Sequence, residues 1–222
     1  MKTLSISTSS STASVCISEG NKCIKELNIN NLKTHSETLI PLIQELLTDT
    51  KINLQDIELL ACDIGPGSFT GIRIGIATVK AIAESLNIPI VSVSSLEALA
   101  YNIQNSNYSA ICSLIDARNN QVYCGIFNNK YELVENYMAD DINNICPIIN
   151  KYENIAFVGD GAIVHKELLK INNFESDNVI HANSIGLCAY TKFQNSDTLN
   201  ADTLSPMYLR PSQAERIKKL NG

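Results

Sequence analysis

The residues that could do chemistry gather around one glycine-rich turn. Gly65, Pro66 and Gly67 precede Ser68 and an apolar segment that extends to residue 86. Glycine tolerates the positive φ of a tight turn, and serine is a good helix N-cap. Backbone N–H groups at such a helix start can bind a phosphate. The segment lacks the lysine of a P-loop, however, and two glycines in this spacing are a weak signal alone. A purely structural turn is therefore the favoured interpretation.

Acidic residues stand near this turn and near a second one later in the chain. Asp63 precedes the first turn, Asp160 lies between the two glycines of the second, and Asp116 follows another apolar run. Aspartate side chains often accept a hydrogen bond from a backbone N–H two residues on, so we expect each of the three to cap its own loop. A small-molecule kinase or ATPase would instead use Gly65–Gly67 and Asp116 to bind ATP.

The histidines and cysteines give little support for metal chemistry. No two of the three histidines, at positions 35, 165 and 181, have the spacing that places two ligands on one helix face. The seven cysteines include no C-x-x-C pair, so we expect buried thiols in a reducing compartment. A metalloprotease is therefore the least favoured enzyme, and we expect this chain to bind no metal.

The segment after the glycine turn is predicted to form a helix over residues 68–86. Apolar side chains lie on almost every side of it: Phe69, Ile72, Ile74, Ile76, Ala77, Val79, Ala81, Ile82, Ala83 and Leu86. Such a helix is either buried within its own lobe or covered by another chain. Gly71 and Gly75 would let another helix approach closely, so we favour a partner interface over a buried helix.

Strands and helices around the turn would position these groups. Residues 3–8 are predicted as a strand, followed by a hairpin that turns at Gly20. A helix begins near His35, because Thr34 and Glu37 match a capping box. The apolar run "IELLACDI" is typical of a buried strand and leads into the glycine turn.

The second half of the chain repeats this pattern at an offset of about 109 residues, judged from the matching apolar alternation. The segments "LIDARNNQVYCGIFNN" and "IAFVGDGAIVHKELL" correspond to the opening strand and hairpin and to the strand, glycine turn and helix. Strands that alternate with helices indicate two α/β lobes with mixed sheets. The closing "LSPMYLR" is predicted as a strand that ends at Arg210, before a polar tail.

The bulk composition limits the classes of function. The chain has 222 residues, 45% of them hydrophobic, and a net charge of −6. This charge argues against a protein that binds nucleic acid alone. The basic residues cluster only near the end: Arg210, Arg216, Lys218 and Lys219. No apolar run is long enough to span a membrane, and the N-terminus lacks the apolar core of a secretion signal. We therefore expect a cytoplasmic protein.

Five motifs together resemble one known family. The segment "GPGSFTGIRIG" is similar to the signature of the TsaB (YeaZ) family, and four others follow in family order: "SISTSSSTASVCIS", "HSETLIPLIQELL", "SLIDARNNQVY" and "SPMYLR". The resemblance covers nearly the whole chain. It implies the duplicated actin/hexokinase/Hsp70-like (ribonuclease H-like) α/β architecture, with an N-terminal lobe over residues 1–105 and a C-terminal lobe over residues 106–222.

The resemblance also implies a role and partners. TsaB proteins are non-catalytic subunits that support TsaD, which transfers a threonylcarbamoyl group to a tRNA adenosine, together with the ATPase TsaE. ATP or ADP and metal are then expected on TsaD and TsaE, contact with tRNA is indirect, and a homodimer is expected when TsaD is absent. TsaD is expected to pack on residues 35–48 and 68–86. The implied interface residues are His35, Leu39, Leu42, Ile43, Leu46, Phe69, Ile72, Arg73, Gly75, Ile76 and Val79.

Two departures argue against chemistry in this chain. TsaD relatives carry two metal-binding histidines one helical turn apart, whereas His35 is followed here by Leu39, and one imidazole does not make a metal site. Many TsaB sequences have aspartate where this chain has Ser7, and a hydroxyl cannot supply the charge that holds Mg²⁺. If nucleotide sits at the shared interface, the residues expected near it are Gly65, Gly67, Ser68 and Asp116.

Overall fold

The first half of the chain forms a five-stranded mixed sheet in the order β3-β2-β1-β4-β5. This computed structural model describes residues 1–30, 34–103, 107–170, 174 and 177–210. The strands are β1 (Lys2–Ser7), β2 (Ala13–Glu19), β3 (Lys22–Ile29), β4 (Leu59–Asp63) and β5 (Ile90–Val93). β1, β2 and β3 are antiparallel neighbours, whereas β4 and β5 run parallel to β1. The predicted hairpin turns at Gly20, whose φ is 59°.

The second half repeats this arrangement with four strands in the order β8-β7-β6-β9. They are β6 (Ala110–Asp116), β7 (Gln121–Asn128), β8 (Met138–Asp141) and β9 (Ile155–Val158). β6 pairs antiparallel with β7 and parallel with β9, as β1 does with β2 and β4. A single parallel bridge between Phe157 and Phe174 takes the place of a fifth strand. The predicted duplication with mixed sheets is therefore confirmed.

Helices cover both sheets and fill the space between them. They are α1 (His35–Thr50), α2 (Phe69–Leu86), α3 (Ser95–Ala100), α4 (Ile142–Ile149), α5 (Asp160–Val164), α6 (Lys166–Leu169) and α7 (Ala182–Gln194). α1 and α2 pack on the outer face of the first sheet. α4 and α5 pack on the outer face of the second sheet. Both predicted starts are confirmed, because the Thr34 N–H donates to Glu37 (3.0 Å) and the Gly71 N–H donates to the Ser68 hydroxyl (3.2 Å).

The two halves exchange helices across the centre of the molecule. α7 follows the second sheet in sequence but lies on β1 and β2 of the first, and α3 follows the first sheet but packs on β6 and β7. Leu96 and Leu99 of α3 and Ile185 of α7 share one buried core with residues of both sheets. A division between residues 105 and 106 thus separates the two sheets. Helix α7, although it comes after this division, packs on the first sheet.

The closing segment is not a strand, and this prediction is wrong. Residues 204–210 form no ladder, because Pro206 has no N–H to donate and interrupts strand pairing. The Met207 N–H instead donates to the Ile64 carbonyl (2.8 Å), which fixes the segment beside the glycine turn. Arg210 is the last described residue; Arg216, Lys218 and Lys219 of the predicted polar tail lie outside the described part of the chain.

Within the described residues, no helix combines the length and the apolar character needed to cross a membrane. All seven cysteines are free thiols, and five of them are buried.

Candidate functional site

An open cleft of about 1010 Å³ lies where loops of the two lobes meet. Its walls include the β1–β2 loop (Ser9–Thr12), the glycine turn, and Asp116 and Asp160 at the ends of strands in the second lobe. Three of the four residues predicted to lie near nucleotide border it: Gly67, Ser68 and Asp116. Gly65 lies behind them, with φ 99° at the entry to the turn.

The glycines of α2 admit the chain's own β1–β2 loop. A Cβ on Gly71 would overlap the Thr8 carbonyl oxygen, and one on Gly75 would lie 2.5 Å from the Thr8 hydroxyl. The Thr8 hydroxyl donates to the Gly71 carbonyl (2.7 Å), so the loop is bonded to the helix as well as packed against it. The expectation that these glycines admit a partner's helix is therefore wrong, since Thr8 fills the space.

Asp63 is the centre of a buried hydrogen-bond network behind the glycine turn. Its carboxylate accepts hydrogen bonds from the hydroxyls of Ser7 (2.6 Å), Ser95 (2.7 Å) and Ser9. It also accepts one from the Gly65 N–H (2.9 Å), which is the loop cap that the sequence predicts. Burial raises the pKa of the Asp63 carboxyl above its usual range, although the four donated hydrogen bonds oppose that rise.

Sequence reasoning missed Ser9 and Ser95, and it did not predict that Ser7 bonds to Asp63. Ser7 is the last residue of β1, Ser9 lies in the β1–β2 loop, and Ser95 opens α3, 86 residues beyond Ser9. The one available signal was polar side chains, two residues apart, at the end of a buried strand. Ser7 therefore serves as a donor to a carboxylate on the neighbouring strand.

The corresponding corner of the second lobe is open to the cleft. The Asp116 N–H donates to the Asp160 carboxylate (2.9 Å), and the Arg118 N–H donates to the Asp116 carboxylate (3.1 Å), which is the turn cap that we expect. Burial raises the pKa of Asp160, and the charge of Asp116 adds to the rise. Arg118, Asn119 and Asn120 all have positive φ, which gives this loop an unusual left-handed backbone.

His35 has a structural partner. Its Nε2–H donates to the Ser10 carbonyl (2.8 Å), so the imidazole ties the start of α1 to the β1–β2 loop. Among the described residues, no group of three or more histidine, cysteine, aspartate or glutamate side chains is arranged to hold a metal ion.

Seven of the residues expected at a partner interface are buried in the first lobe's own core. They face the first sheet and are at most 5% exposed: Leu39, Leu42, Ile43, Leu46, Ile72, Ile76 and Val79. Their side chains are out of reach of a partner in this fold, so this part of the expectation is corrected. The physical reason is that α1 and α2 use their most regular apolar stripe to cover β1, β2 and β4.

The other side of the two helices carries a second apolar stripe. We call this the α1–α2 surface: Ile40, Arg73, Ile74, Ala77, Ala81 and Ile82. Ile40 is 48% exposed, Arg73, Ala77 and Ala81 are exposed, and Ile74 and Ile82 are half-buried. At one end Phe69 stacks on Tyr208 at 4.7 Å, and Arg73 donates to the Tyr208 hydroxyl (2.8 Å). Phe69 and Arg73, both expected at the interface, thus contact the chain's own closing segment.

Comparison with known proteins relates these features to a family. Residues 30–191 match a family model described as TsaD, tRNA N6-adenosine threonylcarbamoyltransferase. The chain is 33% identical over 174 residues to the Bacillus subtilis tRNA threonylcarbamoyladenosine biosynthesis protein TsaB, covering 77% of this chain and 76% of that protein. It is 30% identical over 201 residues to the protein of the same name from Buchnera aphidicola subsp. Schizaphis graminum, covering 87% and 94%.

Solved structures share the fold. YeaZ from Pseudomonas aeruginosa superposes with a TM-score of 0.83 at 23% identity, over 94% of this chain and 99% of that one. A Listeria monocytogenes protein, proposed to be an N-acetylmannosamine kinase, superposes with a TM-score of 0.54 at 11% identity, over 88% and 100%. The architecture is thus the actin/hexokinase-like one that the sequence resemblance implies. With two relatives at 30% identity or more over most of its length, the chain belongs to the TsaB (YeaZ) family.

Proposed function

We propose that this chain is a non-catalytic subunit in the synthesis of tRNA threonylcarbamoyladenosine, where it binds and supports TsaD together with TsaE. The relatives' names supply the pathway. The observation that carries the subunit role is the α1–α2 surface, whose side chains are exposed or half-buried and, apart from Arg73, apolar. TsaD and TsaE then provide the sites for nucleotide and metal, and contact with tRNA runs through the complex.

The composition of the α1–α2 surface suits a helical partner. Ala77 and Ala81 are one turn apart on α2 and leave room for a helix to approach, while Ile40, Ile74 and Ile82 supply the apolar area around them. Exposed apolar stripes of this kind are typical of protein interfaces, where an apolar centre is bordered by polar side chains. Arg73 and the Tyr208 hydroxyl provide such a border at one end.

The chemistry of the cleft argues for a subunit without its own reaction. On the first-lobe side, the carboxylate of Asp63 is only 1% exposed and its acceptor sites are used by serine hydroxyls and a backbone N–H. On the second-lobe side, the Asp116 carboxylate accepts from the Arg118 N–H of its own loop, and the Asp160 carboxylate accepts from the Asp116 N–H. A hydrated Mg²⁺ in such a cleft is held through one or two carboxylates, and the first lobe, whose Asp63 is buried, presents none to it.

An ATP-binding enzyme is the second candidate, because the cleft has room for a nucleotide and is bordered by Gly67, Ser68 and Asp116. Calorimetric titration of the isolated chain with Mg-ATP separates the two. Tight binding, or turnover of ATP by the chain alone, favours the enzyme.

The decisive experiment pairs two isoleucine substitutions. Ile40→Arg on the α1–α2 surface is expected to weaken binding to purified TsaD from the same organism by at least about tenfold, since a charge is placed in an apolar contact. Ile163→Arg is the matched control, because Ile163 is similarly exposed (52%) but lies on α5 of the second lobe.

Activity gives the second measurement. TsaD, TsaE, tRNA and threonylcarbamoyl-adenylate should yield modified tRNA only slowly until this chain is added. Full activity of TsaD without it, or equal binding by the two variants, would contradict the proposal.

A further inference from the structure

Asp63 joins four segments that meet behind the glycine turn. Its carboxylate is bonded to Ser7 at the end of β1, to Ser9 in the β1–β2 loop, to Ser95 at the start of α3 and to the Gly65 N–H. The Ser95 and Ser9 hydroxyl oxygens also lie 3.0 Å apart, so the two serines contact each other as well as Asp63. The mechanism of a non-catalytic subunit has no use for this carboxylate as an acid or base.

The β1–β2 loop, which contains Ser9, also holds the first turns of α1 and α2. The Ser9 carbonyl accepts the N–H of Ser68 (2.7 Å), the residue that caps α2. The Thr8 hydroxyl is bonded to the Gly71 carbonyl, and the Ser10 carbonyl accepts the His35 imidazole of α1. A shift of this loop must therefore move the starts of α1 and α2 together.

We propose that Asp63 is a positioning residue for the α1–α2 surface, and that positions 7 and 63 together hold one buried carboxylate. The positioning role rests on the proposed function; the rule of one carboxylate does not. Asp63 fixes the β1–β2 loop through Ser9, and the loop fixes the two helix starts. Position 7 therefore holds a neutral side chain, whose hydroxyl donates to the Asp63 carboxylate.

The distance between positions 7 and 63 explains why only one acid fits. The Ser7 hydroxyl lies 2.6 Å from the Asp63 carboxylate, and both side chains are at most 1% exposed. A second carboxylate at position 7 would face the first at hydrogen-bond distance without water between them. Two such groups cannot both be ionised, so one must keep its proton.

Relocating the charge tests this rule. Ser7→Asp is expected to lower the melting temperature at pH 8 by roughly 5 °C or more, and by less at pH 5, where keeping the shared proton costs less free energy. The direction follows because the pKa of the protonated carboxyl in the pair at positions 7 and 63 of the variant is higher in the folded than in the unfolded protein. The variant is therefore more stable at low pH, and its free energy of unfolding falls as pH rises.

The double variant Ser7→Asp/Asp63→Asn should recover most of the loss at pH 8. The carbonyl of the amide introduced at position 63 can still accept from Ser95 and Gly65, and its NH₂ group can donate to the carboxylate introduced at position 7. The pH dependence should return to that of the wild type. A double variant that is no more stable than the sum of the single changes, or that does not fold, overturns the rule.

Binding to purified TsaD tests the positioning role. Asp63→Asn is expected to weaken binding at least about tenfold, because one amide oxygen cannot replace both carboxylate oxygens: one accepts from Ser7 and Ser9, and the other from Ser95 and the Gly65 N–H. Ile145→Ala is the control, since Ile145 is buried on α4 of the second lobe and its truncation lowers stability far from α1 and α2. The control should bind within about twofold of the wild type at a comparable melting temperature.

The outcomes separate the two proposals. If Asp63→Asn binds TsaD like the wild type, or if the control loses as much affinity, the positioning role is overturned. If the wild-type chain does not bind TsaD, the proposed function fails, while the melting temperatures still decide whether positions 7 and 63 share one carboxylate.

Discussion

The two lobes present unlike corners to the cleft although their strands follow the same order. In the first lobe the β1–β2 loop is bonded to α2 and closes over the Asp63 carboxylate. In the second lobe Asp116 and Asp160 stay at the cleft wall, and α5 is only five residues long. The two lobes thus share their strand connections, whereas only in the first lobe is the loop after the first strand packed against a long helix, α2. The difference teaches that the polar residues of the first lobe serve structure, whereas the second lobe keeps the accessible acids.

Adding a methyl group to one glycine in the first turn of α2 and one in α5 should show the tighter packing of the first lobe. Gly71→Ala is expected to destabilise the protein by about 4 kcal/mol, because the new Cβ overlaps the Thr8 carbonyl. Gly161→Ala in α5 is the control: its Cβ would meet backbone atoms at 3.0 Å, and a cost of about 1 kcal/mol is expected. Urea unfolding of both variants measures the difference. Equal costs would mean that the two corners are packed alike.

The contact that joins the lobes at the start of α7 should give a pH-dependent term of about 2 kcal/mol. His181 bonds to Glu26 of β3 (3.1 Å) and to Asp177 (2.9 Å). The hydrogen bond with Glu26 raises the pKa of His181 to about 9, and the one with Asp177 adds to the rise. Because the folded pKa lies above the unfolded value, this stability is present below pH 6.5 and is lost as pH rises toward 9.

Thermal unfolding between about pH 6 and pH 9.5 measures this contribution. His181→Gln should remove the part of the fall in melting temperature that comes from deprotonation of His181, while contributions from other titrating groups remain. A wild-type melting temperature that stays constant across the same window would show that the lobes do not depend on this charge.

The smallest expected effect concerns the closing segment beside α2. Tyr208→Phe removes the hydroxyl that accepts from Arg73 but keeps the ring stacked on Phe69, so we expect a loss of about 0.5 kcal/mol. Tyr208→Ala, which also removes the stacking, should cost more. If the two variants unfold at the same urea concentration, the aromatic stacking contributes nothing to the first lobe.

Local signals in the sequence predicted the element starts and the duplication well. The Thr34–Glu37 pair and Ser68 determine where α1 and α2 begin, since capping depends on residues within one turn. The matching alternation in the two halves depends on strand periodicity, which is also local. The fold class followed from these patterns and from the family resemblance.

The roles of the apolar faces were harder to predict, because they depend on distant contacts. α2 is apolar on two sides, and periodicity alone cannot say which side covers the chain's own sheet. Thr8, which fills the space at Gly71, is 63 residues away in sequence. The serines around Asp63 likewise come from two distant parts of the chain, Ser7 and Ser9 in one and Ser95 in the other, so no spacing rule could bring them together.

The exchange of α3 and α7 has a mechanical consequence. Each sheet is clamped by a helix that the opposite half supplies, and both helices are buried in one shared core. Opening the molecule along its cleft would expose apolar side chains of that core to water. We therefore expect the two halves to move as a unit, so that any subunit resting on the first lobe meets a platform of constant shape.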